Sequence, residues 1–182
     1  MNTTTLQHSE IEDLLALQRS NLVTQISSDT AASQGFLTFQ YTAPVLSRMM
    51  EDMAQPITKS GDVITGYALS TSREAGMEIA LMKPLVEMCD EQLSFNGKPL
   101  REQRYYLMGQ VCVRDGWRGQ GIFDKLYQYH KELFSKDYDC IVTEIAATNL
   151  RSQAAHARVG FETIHEHEDG GTVWHVVAWG WK

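Results

Sequence analysis

The sequence predicts a mixed α/β domain, and three observations carry that prediction. The C-terminal half alternates apolar strand-like runs with amphipathic helical runs, in the order β-α-β-α-β-β. The N-terminal half is richer in helical patterns and leads into a short strand meander. A hydrophobic fraction of 43% over 182 residues is enough for one core, so one domain spanning 1–182 is expected.

The first element is a helix across residues 9–23, in which Ile11, Leu14, Leu15 and Leu17 share a face and Ser9 reads as the N-cap. Residues 27–35, SSDTAASQG, are small and polar and read as a loop, solvated or gating a substrate. The run GFLTFQY alternates loosely, and APVLSRMMEDMAQ reads as a helix ended by Pro56. Two strands across 57–70 flank a Ser60-Gly61-Asp62 turn. Residues 77–89 are apolar without a clear period. Asn96-Gly97 marks a turn. A strand covers 104–113, and a helix covers 119–135 with Ile122, Leu126, Tyr129 and Leu133 on one face. Tyr127 falls on the surface side of that pattern. A strand at 140–147 and a helix at 149–159, stopped by Gly160, follow. Residues 161–167 and 172–181 alternate as a hairpin turning at Gly170-Gly171.

Charge and cysteine content exclude several classes. Sixteen basic against 23 acidic residues give a net charge of −7, which argues against nonspecific binding to nucleic acid or an anionic membrane. Cys89, Cys112 and Cys140 are far apart and form no C-x-x-C, as expected for reduced thiols. No basic-then-apolar leader and no apolar run of ~20 residues is legible. A soluble cytoplasmic protein is the expectation.

The chemistry concentrates in DGWRGQGIF, residues 115–123, between the strand and the helix. A pyrophosphate needs several N–H donors that no Cβ crowds. Gly119 and Gly121 permit that approach, the helix they open adds a favourable dipole, and Arg118 adds charge-assisted bonds. A tight turn without ligand explains the same residues. A second segment follows about 30 residues on: Asn149, Ser152, His156, Arg158 and then Gly160-Phe161.

Together the two segments resemble the Gcn5-related N-acetyltransferase (GNAT) superfamily. Arg118-Gly119-Gln120-Gly121-Ile122-Phe123 is similar to its Arg/Gln-x-x-Gly-x-Gly/Ala signature, with Phe123 where a small residue is usual. In the second segment Ser152, His156 and Arg158 stand where the family carries Ala, Tyr and Lys. The likeness is good over 104–182 and rests on element order alone before that.

The resemblance implies a central, mostly antiparallel sheet, splayed at the cofactor site and flanked by helices. It implies an acceptor side in 1–103 and an acyl-CoA-binding core in 104–182. Acetyl-CoA would be the co-substrate, and an amine of a small molecule or protein would attack it directly in a ternary complex. No metal, nucleic acid or membrane is implied. Val111, Cys112 and Val113 would offer main-chain groups to the pantetheine arm. Arg118, Gly119, Gln120, Gly121, Ile122 and Phe123 would hold the pyrophosphate, with Asn149 and Ser152 beside the arm. Cys112 reads as a small buried hydrophobe and not a nucleophile.

Acyl transfer to an amine needs a base, an oxyanion donor and a proton donor for the thiolate. His156, in the tyrosine place, is the candidate donor, with simple packing as its alternative. Glu144 is the candidate base, beside Gln110 orienting a water and His175. His165, His167 and His175 invite a metal reading, but surface polarity explains them more simply. Phe36, Phe39, Tyr41, Trp174, Trp179 and Trp181 are candidates to line an acceptor pocket. Trp179, Trp181 and an exposed last strand suggest a possible homodimer. An acyl-CoA-binding module without turnover is the competing function, and a binding module for another ligand is the third.

Overall fold

The computed structural model describes residues 1–181. The expected span of the domain runs one residue further, and Lys182 lies outside the described residues.

A seven-stranded sheet organises the chain. Its strands are β1 (Asn2–Thr5), β2 (Pro56–Ser60), β3 (Val63–Ser72), β6 (Tyr105–Val113), β7 (Cys140–Ala146), β9 (Thr172–Gly180) and β8 (Glu162–Asp169), adjacent in that order. Two-residue strands β4 (Ser94–Phe95) and β5 (Lys98–Pro99) form a separate hairpin around the expected Asn96-Gly97 turn. All pairs in the large sheet are antiparallel except β6 with β7.

Helices cover both faces. On one side lie α1 (Ile11–Arg19), α3 (Ala43–Asp52) and α5 (Lys83–Glu91), which bury Leu14, Leu46, Met49 and Val86 against Tyr67, Leu69, Leu107 and Val142. On the other lies α6 (Ile122–Phe134), which packs Tyr127 and Phe134 against Tyr106, Ile141 and Val177. Each such apolar side chain contributes roughly 1.5–3 kcal/mol by leaving water. The helix α7 (Leu150–Val159) joins the α6 face through His156 and Val159.

Several sequence expectations need correction. Residues 28–34, read as a loop, form the helix α2 (Ser28–Gln34), because the Ser27 hydroxyl accepts from the Thr30 N–H and caps it. The aperiodic 77–89 stretch sits in two helices, α4 (Arg73–Glu78) and α5, broken between Glu78 and Lys83. Ser9 lies inside a short 3-10 turn (His8–Glu10) capped by Gln7. The buried stripe of α6 is Ile122, Leu126, Tyr127, His130 and Phe134, so Tyr127 is core and Tyr129 is only partly buried. His130 completes that stripe. Its Nε2–H donates to the Ala68 carbonyl at 3.0 Å, and its Nδ1 then accepts from Tyr106 Oη at 3.0 Å. Both ring nitrogens are satisfied, and the ring is fully buried.

The last strand is not an edge: β9 lies between β7 and β8. Trp179 packs edge-on against Trp181 and Tyr127 and at a tilt against Phe161, all of its own chain. The expected exposed last strand is therefore corrected: β9 offers no free edge to a second copy.

Candidate functional site

The sheet opens at its centre. β6 and β7 pair only at Tyr105↔Cys140, Tyr106↔Ile141 and Leu107↔Val142. Beyond that point β6 stays with β3 as far as Val113, while β7 follows β9 as far as Ala146. The β7-facing backbone edge of residues 108–113 is left without a strand partner. A bulge marks the divergence, because Leu69 opposes Gln110 while Ser70 opposes Met108, leaving Gly109 unmatched. A Cβ on Gly109 would collide with the Tyr41 hydroxyl, so glycine is required where Tyr41 crosses the strand.

Two cavities meet at this opening and share Phe36, Leu37, Val111, Asn149 and Ser152. The first, about 270 Å³, is walled by Cys112, Val113, Gly119, Gly121 and the first residues of α6. Its charged lining is three arginines, Arg118, Arg151 and Arg158, and one carboxylate, Asp124. The second, about 570 Å³, is lined by Glu144, Glu168, Asp169 and His167, with neither lysine nor arginine among its lining residues.

The glycine turn forms one end of the first cavity. Gly119 and Gly121 have φ of 76° and 72°, and a Cβ on either would stand in open space. Gly121 is the N-cap of α6 in the left-handed conformation and supplies no capping side chain, so the first-turn N–H groups of Ile122, Phe123 and Asp124 open on the cavity. Arg118 is held at the wall: its Nη2 donates to Asn21 Oδ1 at 2.5 Å and its Nε to the Val113 carbonyl at 3.2 Å. Gln120 is not a wall residue, and its exposed side chain bonds back to the Gly116 carbonyl. Phe123 reaches the wall but also packs on Tyr127 and His156 at ring separations of 4.9 and 5.0 Å. Burial pushes the Cys112 thiol up to about 12, which leaves it no nucleophile at neutral pH.

Asn149 works as a clasp. Its Oδ1 accepts from the Ser152 N–H and caps α7, while its Nδ2 donates to the Phe36 carbonyl at 3.1 Å. Residues 35–37 are thereby drawn across the opening. The other polar side chain among the five shared residues is Ser152, whose Oγ lies 3.3 Å from the protonated Nδ1 of His156 and can only accept there, so its O–H is left to donate.

His156 is less available than its position in sequence implies. It is buried, and its Nδ1 lies 2.8 Å from the Ser152 carbonyl, which can only accept. Nδ1 therefore carries the proton, and Nε2 accepts from Tyr127 Oη at 2.7 Å. Burial lowers its pKa to about 4, so the ring is neutral near pH 7 and has no free N–H for a thiolate. Packing, the alternative for this residue, fits that geometry.

Glu144 lies on the wall of the larger cavity, and its Oε2 accepts from His167 Nε2 at 3.2 Å. Burial raises its pKa, with His167 opposing the rise. Gln110 is not free to orient a water: its Oε1 accepts from Tyr67 Oη and its Nε2 donates to the Phe39 carbonyl. His175 pairs with Glu166 at 3.5 Å and opposes Ile145, whose side chain belongs to the α6 face of the sheet. Of the six aromatic candidates, Phe36, Phe39, Tyr41 and Trp174 line the larger cavity, while Trp179 and Trp181 belong to the α6-side core. His165 and His167 stack at 6.3 Å, but among the described residues no three His, Cys, Asp or Glu side chains gather to hold a metal ion.

No family model and no curated protein matches the sequence. Solved structures do match the fold. The ribosomal-protein-S18-alanine N-acetyltransferase of Escherichia coli aligns with a TM-score of 0.64 at 12% identity, over 98% of this chain and 92% of that one. The protein yncA of Salmonella typhimurium, solved with acetyl-CoA, aligns with a TM-score of 0.63 at 14% identity, over 100% and 94%. Arabidopsis thaliana NAA60, also in complex with acetyl-CoA, gives 0.65 at 11% identity, over 98% of each chain. The chain has the fold of the Gcn5-related N-acetyltransferases.

Proposed function

We propose that the protein is an N-acetyltransferase that takes acetyl-CoA in the arginine-lined cavity and an amine in the carboxylate-lined one. The observation that carries this reading is the opening between β6 and β7, where a cavity ending in an uncapped glycine turn meets a cavity of opposite charge. The residues fit the co-substrate: the turn leaves open the space that a Cβ would take at Gly119 and Gly121. Solved structures of the same fold carry acetyl-CoA.

Acetyl-CoA supplies an acetyl group activated as a thioester. The chain's own groups do the rest. The N–H groups at Gly121–Asp124, with Arg118 and Arg151, bind the pyrophosphate. The free edge of residues 108–113 holds the pantetheine arm, with Val111, Cys112 and Val113 acting through main-chain atoms. Residues 35–37, clasped by Asn149, exclude water from the junction. An alkyl ammonium near pKa 10 is no nucleophile until it loses a proton. The Glu144 carboxylate takes that proton, and its burial-raised pKa makes it the better base. At the junction the Ser152 O–H donates a hydrogen bond to the departing sulfur, and His156 fixes the Tyr127 side of α7.

A second reading is an acyl-CoA-binding module without turnover, and the neutral, fully engaged His156 is the observation that favours it. Calorimetric titration with acetyl-CoA, with ATP as comparison, tests binding. Thiol release over a panel of amines then separates enzyme from module. Binding without turnover on any amine selects the module, and no acetyl-CoA binding overturns both.

A further inference from the structure

We infer that the acceptor is a cationic amine whose nitrogen sits next to a bulky apolar group. This deepens the acetyltransferase reading and rests on it. The larger cavity has two kinds of wall. One is apolar and deformable: Met82, Leu85, Met88 and Phe39. The other is acidic: Glu144 inside, its side chain 33% exposed, and Glu168 and Asp169 at the end of β8. With no cation among the lining residues, nothing on the wall offsets these carboxylates except the His167 contact to Glu144. A positively charged ligand supplies the missing charge, and a neutral or anionic one does not.

A separate feature points to a ligand at the same place. The Tyr41 hydroxyl is buried and has no hydrogen-bond partner in the structure. Tyr41 lines the cavity, and its hydroxyl lies over Gly109, which lines it too. A buried hydroxyl without a partner is costly, and a ligand nitrogen that displaces its cover would recover that cost. The hydroxyl stays protonated, because burial raises its pKa, but its lone pairs accept from an ammonium. The ring also packs edge-on against Phe39 at 5.0 Å, which ties the polar contact to the apolar wall.

A volume of about 570 Å³ holds an amine with a ring or branched alkyl body. The same chemistry occurs in a free hydrophobic amine and in a chain terminus that begins with a large apolar residue. The test distinguishes them. Calorimetry of the full chain would use phenethylamine, phenethyl alcohol, ethanolamine, hydrocinnamate and a tetrapeptide beginning Met-Leu. Acetyl-CoA would be titrated into each sample as a separate readout. Phenethylamine should bind about tenfold tighter than the alcohol, which lacks the charge, and than ethanolamine, which lacks the apolar body. Glu144→Gln should abolish the preference for amine over alcohol, and Tyr41→Phe should weaken phenethylamine about fivefold. Both variants should keep wild-type acetyl-CoA affinity, which shows that they fold. A tetrapeptide that binds tighter than phenethylamine assigns the chain terminus, and the reverse assigns the free amine. Equal binding of amine and alcohol, or a preference that survives Glu144→Gln, overturns the inference even if acetyl-CoA binds. Loss of acetyl-CoA binding with the amine preference intact overturns the acetyltransferase reading instead.

Discussion

The two cavities that meet at the open seam are built on opposite principles. The smaller is made of backbone: glycines, an uncapped helix start and an unpaired strand edge, with arginines around them. The larger is made of side chains: methionines, aromatic rings and carboxylates. Backbone donors recognise phosphate whatever the neighbouring side chains are, so a short motif specifies the first cavity. Side-chain walls specify one ligand at a time, so the second follows no general motif. The net charge of −7 averages over this contrast and conceals a cationic site inside an acidic protein.

The largest expected effect on ligand binding breaks the backbone side alone. Gly121→Glu puts a side chain at φ 72° and a carboxylate at the helix start. Acetyl-CoA affinity should fall about 100-fold, ~2.7 kcal/mol, with the circular dichroism spectrum unchanged. Phenethylamine affinity should be unaffected, which calorimetry checks directly.

Gly109→Val strikes the seam itself. The new side chain meets Tyr41 and Met82, and overpacking of this kind costs about 1–3 kcal/mol. The melting temperature should drop, and amine binding should suffer more than acetyl-CoA binding.

Acid should weaken the fold through the histidines beneath the seam. His130 and His156 are held neutral, each with its pKa lowered to about 4 by burial. The unfolded chain takes up a proton on each near 6.5, the ordinary value. Between pH 6.5 and 4 the unfolded state therefore binds more protons, and stability falls as pH falls through that window. The loss is up to about 3 kcal/mol per histidine. Denaturant titrations between neutral pH and pH 4 should show that slope, and His156→Phe should remove roughly half of it.

The smallest expected effect loosens the clasp. Asn149→Ala removes the α7 cap and the bond to Phe36 and should cost about 1 kcal/mol. Hydrogen exchange should quicken at residues 35–37 before it does elsewhere.

What the sequence disclosed follows the same division. The turn at Gly119–Gly121, the order of strands and helices after residue 104 and the Gly170-Gly171 hairpin are local, and each was legible from spacing and residue type. The α2 helix was not, because SDTAASQ has no apolar stripe and none of its residues is buried. Tyr41 stood among the aromatic candidates, but its role depends on a contact with Gly109, far off in sequence. His156 stands out by motif, but its burial and its contacts to Tyr127 and Ser152 are invisible in a one-letter row. Tyr127, one helical turn from His130, is the local sign of the buried stripe on α6.

The most direct test of the central claim is the affinity of a bisubstrate compound, CoA joined through an acetyl spacer to the nitrogen of phenethylamine. If the cavities hold co-substrate and acceptor on either side of one junction, this compound should bind at least about 100-fold tighter than CoA. Gly109→Val, which crowds Tyr41 and Met82 in the larger cavity, should remove most of that gain, whereas Gly121→Glu should weaken CoA and the bisubstrate compound alike. A compound that binds no tighter than CoA would contradict the account, because the two cavities would then not serve one reaction.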